Sequence, residues 1–463
     1  MSILQDLKAR FQRDRVTLRL DDIQALILRA RPEPYVGMHV MLHVDDAIGG
    51  RDLIARLSKH VPAASDWTDE LASWTGVAIS YNGLKALGVP SASLCTFPLP
   101  FQQGMAARAL QLHDKGVNAP ENWDRIFAPG TCHVALTIYA QDKAALDIAI
   151  ATARSELDRS TGVTLLGMHE FGADEEAKNP FGYRDSISQP TVAGAGVAPQ
   201  LGRERAIAAG EFVLGEISET GAPLGCPEPP ALGFNGSYIV LRKYVSQVGA
   251  FNDFLKAKSP DEAGQDLLGA KLFGRWRSGA PLVLSPAVDD ESLGADPKRN
   301  NAFDFSGDTK GQLCPHSSHM RRLNPRDSPL TIMTDVNIHR VIRRSSTFGP
   351  KWSRNVTAEQ DDNADRGIFF IFISARAFDT IEFMQQEWIN GGNFIDLGDE
   401  RDPVVGLHES DGDVFTVPLS PARKRFTGIS TFNHMKGGEY MFMPSLTALK
   451  WIGRADWEVG LPQ

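Results

Sequence analysis

HVALTIYAQDKAALDIAIATARSELDR, residues 133–159, reads as one strand followed by one helix, and that pairing decides the fold. In HVALTIYA the apolar Val134, Leu136 and Ile138 alternate with their neighbours, the period of a half-buried strand. In KAALDIAIATARSELDR the apolar positions change to helical spacing at Leu146, Ile150, Ala153 and Leu157. The same plan stands earlier, where YVGMHVMLHV (35–44) alternates and GRDLIARL follows with Leu53, Ile54 and Leu57 at helical spacing. It returns twice in the second half: GSYIVLRKYV (236–245) precedes AFNDFLKA, and RGIFFIFISA (366–375) precedes AFDTIEFMQQEWI.

Each half therefore carries a split β-α-β pattern, in which helices pack on one face of an antiparallel sheet. The expected class is α+β, two ferredoxin-like modules related by pseudo-duplication. The division falls in GAPLGCPEPPALGFNG, whose Gly and Pro suit neither helix nor strand interiors. This gives an N-terminal module over 1–230 and a C-terminal module over 231–463. A chain of 463 residues is long enough for two cores.

The formal charge of -9 argues against a nucleic-acid surface, which needs concentrated positive charge. Cys95, Cys132, Cys226 and Cys314 are far apart and form no CxxC or CxxCH, so neither a zinc ribbon nor a covalently attached haem is indicated. That cysteine usage fits a reducing cytosol. The first residues, MSILQDLKARFQRDRVTLRL, hold no apolar leader core, and no run reaches the roughly 18 apolar residues of a membrane span. The expectation is a cytoplasmic protein without a membrane partner.

Three stretches carry chemistry. CPHSSHMRRLNPRD (314–327) offers Cys314, His316 and His319 as donors, either to zinc, which wants four ligands or three and water, or to a haem iron. Pro315 stiffens the chain between the first two donors, and a His in a polar loop is most often hydrogen-bonded or solvated. NPFGYRDSISQP (179–190) holds one carboxylate, Asp185, in a turn fixed by Gly182 and Pro190. In HRVIRRSSTFGP (339–350), Val341 and Ile342 set Arg343 or Arg344 at the end of an apolar strand, where a guanidinium can face a pocket. The long polar segment from about 286 to 318 leads into the first of these stretches, and loops of that length are usually functional or mobile.

Taken together, these stretches resemble the dye-decolorizing (DyP-type) haem peroxidases. The resemblance extends along most of the chain through DIQALILRARPEPYVGMHVMLHVDDAIGGRDLIARL, GYRDSISQP, NGSYIVLRKY, CPHSSHMRRLNPR, RGIFFIFIS and GGEYMFMPSLTAL. It implies paired ferredoxin-like modules of the dimeric α+β barrel type, with antiparallel sheets, flanking helices and haem b held mainly by the C-terminal module. The family's Gly-x-x-Asp-Gly signature reads Gly182-Tyr183-Arg184-Asp185-Ser186 here, so serine stands where the second glycine is expected. If that glycine supplies a positive φ, Ser186 strains the turn or shifts Asp185.

By the same resemblance His319 is the axial iron ligand, with His316 in its vicinity, and Arg343 rather than Arg344 is the arginine on the peroxide side. Alternation sets Ile368, Phe370 and Phe372 on one face of their strand and Phe369, Ile371 and Ile373 on the other; the resemblance sets Ile368 and Phe370 over the haem. Asp185 is expected to shuttle a peroxide proton while Arg343 stabilises the charge on the leaving oxygen. His319 is expected to donate its second ring N–H to a carboxylate, Glu382 or Asp379, with Glu382 preferred. The partners implied are hydrogen peroxide and an aromatic reductant, with self-association allowed because ferredoxin-like sheets often associate. Electrons would reach the haem through surface Trp or Tyr, for which Trp388 and Tyr440 are named. Two other readings compete on the same fold: a non-catalytic haem carrier or sensor, and an enzyme that releases iron from haem.

Overall fold

The computed structural model describes residues 17–31, 33–66, 71–196, 205–326, 335–361, 364–392, 397–410 and 412–457. The N-terminal stretch read for a leader lies mostly outside them, as does Asp327 of the histidine stretch. Among the described residues eleven strands are present: β1 Tyr35–Val44, β2 Ser73–Ser80, β3 Val134–Ala140, β4 Val163–Ala173, β5 Ser237–Ser246, β6 Ile342–Arg343, β7 Ser346–Phe348, β8 Gly367–Ser374, β9 Val414–Val417, β10 Lys424–Thr427 and β11 Asn433–Met443. The helices that matter for the site are α1 Ala47–Leu57, α2 Lys143–Asp158, α3 Val248–Lys258, α4 Glu262–Phe273, α5 His319–Leu323 and α6 Ala377–Phe383.

The helices begin where their capping residues dictate. Asp46 accepts from the Gly49 N–H at 2.8 Å to start α1, and Asp142 does the same for Ala145 at 2.8 Å to start α2. Leu53, Ile54 and Leu57 of α1 are buried, as their spacing requires. On α2 only Leu146 and Ala153 are fully buried, while Ile150 and Leu157 stay half-buried.

Strand order carries the duplication. The sheet runs β4-β1-β3-β2-β11-β5-β8-β6, with β7 also on β8, and its pairs are antiparallel. The first half, β1-α1-β2-β3-α2-β4, has its strands in the spatial order fourth, first, third, second. The second half, β5-α3-β6/β7-β8-α6-β11, repeats that order. The halves join where β11 meets β2, Met441 opposite Ser80 and Phe442 opposite Ile79.

The ends of this path approach one another. Thr347 Oγ1 on β7 donates to the Gly172 carbonyl on β4 at 2.7 Å, and the His169 ring lies edge-on to Phe348 at 4.7 Å. The sheet thus curls into a barrel. Two large cores result, and they lie on the two faces of the joined sheet rather than one in each half. Inside the curl lie Tyr35, Met41, Trp74, Tyr139, Ile239, Phe369 and Ile371. Outside, between sheet and helices, lie Val40, Leu42, Leu53, Leu136, Ile138, Leu146, Val240 and Phe372. Each such side chain stabilises the fold by roughly 1.5–3 kcal/mol through burial. The polar segment from about 286 to 318 folds over a smaller core of Trp276, Leu293, Phe303, Phe305 and Cys314. No helix of the described residues is long and apolar enough to cross a membrane.

Candidate functional site

The outer face of β8 is covered differently from that of β3. Ile368 and Phe370 are half-buried and, with Phe372, line a cavity of about 1840 Å³ of atom-free space, mouth included. His319, Asp185, Arg343, Ile381, Met384, Val404 and Val405 line the same cavity. Alternation along β8 therefore separates cavity from barrel interior as expected, since Phe369, Ile371 and Ile373 belong to the inner core.

His319 opens α5. Its Nδ1 lies 2.9 Å from Asp402 Oδ2, a carboxylate with no solvent exposure. Asp402 Oδ1 accepts the Val404 and Val405 N–H groups at 2.8 and 3.0 Å, so both its oxygens are occupied. Burial alone would push the Asp402 carboxyl up; His319, Arg322 and the backbone N–H of Val405 more than reverse this and hold it below the usual range. An ionised Asp402 fixes the proton on Nδ1 and leaves Nε2, with its lone pair, as the free coordinating nitrogen.

The paired arginines after His319 brace it. Arg322, fully buried, donates to the carbonyls of Trp388 at 2.5 Å, Glu400 at 3.0 Å and Gly391, tying α5 to the segment that delivers Asp402. Arg321 holds Asp308 Oδ2 at 2.9 Å and the Cys314 carbonyl at 2.6 Å. The zinc alternative fails on this geometry. Cys314 is buried in the small core with its thiol pushed up to about 11 by burial, and His316 Nε2 bonds the Thr309 carbonyl away from the cavity. No group of three His, Cys, Asp or Glu suited to a metal occurs among the described residues.

Glu382 is not the partner of His319. It takes Arg108 from the first half in a bidentate pair, 2.5 Å at each oxygen, and Oε1 also accepts Tyr440 Oη at 3.2 Å. A guanidinium with two matched donors outcompetes an imidazole for a buried carboxylate. Asp379 makes no hydrogen bond to His319 either; it stands exposed on α6. Trp388 and Tyr440 are not surface residues, being 2% and 0% exposed.

The Asp185 turn is built by its neighbours. Asn179 Oδ1 accepts from Phe181 and Tyr183 N–H at 3.0 and 3.1 Å, and the Tyr183 ring stacks on Phe273 at 3.8 Å. Gly182 has φ +83°, and a Cβ there would come within 2.7 Å of the Trp352 ring, so glycine is needed for conformation and for space. Ser186 has φ +63°, the left-handed backbone anticipated for this position. Its N–H donates to Asp185 Oδ1 at 2.6 Å.

Arg343 and Arg344 part company at β6, as neighbours on a strand must. Arg344 is buried in the barrel, donating to the carbonyls of Leu26 at 2.9 Å and Ile27 at 3.3 Å. Arg343 lines the cavity and donates to the Ser188 carbonyl. Gln189 locks the two segments together, accepting from the Arg343 N–H at 3.0 Å and donating to its carbonyl at 3.1 Å. Asp402 and Arg31, which also lines the cavity, escaped the sequence reading because both lie far along the chain from the residues they serve.

A haem suits these residues: a flat apolar group matches the Ile368, Phe370 and Phe372 wall, and an imidazole with its outer nitrogen already spent is an iron ligand in waiting. No family model matches the chain. It is 32% identical to dye-decolorizing peroxidase msp1 of Mycetinis scorodonius over 81% of this chain and 75% of that protein. It is 30% identical to a dye-decolorizing peroxidase of Mycena epipterygia over 95% of this chain and 88% of that one. A solved structure of a dye-decolorizing peroxidase in complex with 2,6-dimethoxyphenol superposes with a TM-score of 0.81 at 26% identity, spanning 94% of this chain and 100% of that one.

Proposed function

The chain belongs to the dye-decolorizing peroxidase family and is an oxidoreductase acting on peroxide, and from that premise we propose that it is a haem b peroxidase oxidising dyes and other aromatic or phenolic donors. What supports this most is one cavity holding three differently equipped side chains: His319 with Nδ1 spent on Asp402, the carboxylate of Asp185, and the guanidinium of Arg343. The relative bound to 2,6-dimethoxyphenol supports a phenolic donor.

In this reading His319 Nε2 would hold the iron, and Ile368 and Phe370 would cover the haem. Haem, when bound, supplies the redox-active iron. Asp185 takes a proton from one peroxide oxygen and returns it to the other, directly or through a water, which prepares the second oxygen to leave as water. Arg343, anchored by Ser188 and Gln189, stabilises the charge that develops on the leaving oxygen. Glu382 acts at a distance, joining Arg108 to Tyr440 behind the cavity wall. The modules divide near residue 230, and a cytoplasmic setting fits four cysteines that remain thiols.

The test is a stopped-flow absorption record of haem-loaded protein with one equivalent of hydrogen peroxide. A fast change in the Soret band, reversed by an electron-donating dye, is expected. A ferric spectrum that ignores peroxide would replace this reading with a haem carrier or sensor on the same fold.

A further inference from the structure

Ser186 is not a passive substitute for glycine. At φ +63° it holds a conformation that residues with a Cβ rarely adopt, so something must keep it there. What happens at 186 matters for the carboxylate next door, because the Ser186 N–H is the donor that aims Asp185 Oδ1, at 2.6 Å.

The Ser186 hydroxyl accepts from Arg31 Nη2 at 2.5 Å. Arg31 comes from the segment before β1, with its guanidinium 4.7 Å from the centre of the Tyr35 ring. Its Nε is buried without a hydrogen-bond partner among the described residues, while Nη2 bonds Ser186. Arg31, Asp185, Ser186 and Arg343 all line the cavity. Arg343 grips the same segment two residues on, at the Ser188 carbonyl. The chain from 186 to 188 is thus gripped by two arginines from opposite ends of the sequence.

We propose that Arg31 and Ser186 form a positioning clamp that aims Asp185, the Arg31–hydroxyl bond holding the left-handed backbone at 186 that a glycine would adopt unaided. The serine hydroxyl supplies the acceptor that glycine lacks, and the clamp places a second guanidinium beside the carboxylate. Arg31 and Ser186 are positioning residues. The inference rests on the reading of Asp185 as the proton carrier.

The experiment compares wild type, Ser186→Ala, Ser186→Asn, Arg31→Met, the Arg31→Met/Ser186→Ala double variant and Asp185→Asn. The first readout is hydrogen exchange of residues 184–189 in haem-free protein; the second is the second-order rate constant for peroxide in the haem-loaded enzyme. Ser186→Ala keeps the Cβ and loses the acceptor, so exchange should speed up and the peroxide rate fall on the order of 10- to 100-fold, as misplacement of a catalytic group by about an ångström can bring. Ser186→Asn should rescue both, since Asn tolerates the left-handed region and carries an acceptor. Arg31→Met should match Ser186→Ala, and the double variant should be no worse than either, the non-additivity of two ends of one bond.

Wild-type exchange and rate in Ser186→Ala, or fully additive losses in the double variant, would overturn the clamp while a slow Asp185→Asn leaves the proton carrier standing. A fast Asp185→Asn would remove the proton carrier itself. Should Arg31→Met fail to load haem, Ser186→Ala and its Asn rescue decide the matter alone.

Discussion

The two halves share one strand order and differ in what they do with its outer face. In the first half Leu136 and Ile138 of β3 are fully buried in the outer core, with α1 and α2 packed over the sheet. In the second, Ile368 and Phe370 on the corresponding strand β8 are only half-buried and face the cavity. Two departures from the repeat create that opening. Residues 58–72 suffice between α1 and β2, whereas 259–341 lie between α3 and β6 and carry His319. The strand equivalent to β2 is also cut into the short β6 and β7, which lets Arg343 end at the cavity. One half is the fold satisfied; the other spends the same fold on a site.

The harshest way to break that contrast is His319→Ala. If the cavity of the second half is the cofactor site, haem titration should give no wild-type Soret band, while the barrel, whose cores do not include His319, stays folded by circular dichroism. An unaltered haem complex would make the opening a packing defect. Next comes Asp185→Asn, which keeps the shape of the turn and the acceptor for the Ser186 N–H but removes the carboxylate proposed to carry the proton. Haem should bind as before and the peroxide reaction should slow by about 10²–10⁴-fold, the usual range for general acid–base catalysis. Arg343→Leu should preserve haem binding and slow the same step by about 10²–10³-fold, as loss of one preorganised charge does.

A stability measurement sharpens the comparison from the other side. Leu136→Ala should cost about 2–5 kcal/mol in denaturant unfolding of the haem-free protein, because a closed core relaxes little around the void. Phe370→Ala removes more atoms yet should cost less, since its ring already borders open space. Equal losses would mean that the two faces are packed alike.

How much of this was legible in sequence follows from the same contrast. Strands β1 and β3 and helices α1, α2 and α3 announced themselves by a periodic apolar face, and β5 and β8 by long runs rich in β-branched and aromatic residues. β2 and the far end of β11 did not, since Trp74, Val77, Ala78 and Ile79, like Tyr440 to Met443, are buried on both faces of a curled sheet and show no alternation. Within the site, the two faces of β8 could be read from alternation, whereas His319, Asp185 and the choice of Arg343 over Arg344 came from the family resemblance. The carboxylate behind His319 could not. Asp402 is brought in by Arg322 bonding carbonyls at 388, 391 and 400, and no local spacing records that; Glu382 looked available only because its partner Arg108 lies in the other half.

Asp402→Asn is the mildest of these changes and tests the support of His319 most finely. Three donors converge on Asp402: His319 Nδ1–H and the N–H groups of Val404 and Val405. A carboxylate accepts all three, whereas an asparagine offers one oxygen and one NH₂. If the oxygen stays on the backbone pair, the NH₂ faces His319, which must move its proton to Nε2 and so blocks the nitrogen that faces the cavity. If the oxygen turns to His319, the NH₂ opposes two backbone donors and the 402–405 turn loosens. Either way the protein should fold, and haem affinity should fall by about 10- to 100-fold, the range seen when such a supporting group is lost. Haem transfer to an acceptor protein would measure it. An unchanged transfer rate would mean that Arg322 and the turn alone hold His319, and that the second half needs no buried charge to keep its cavity ready for iron.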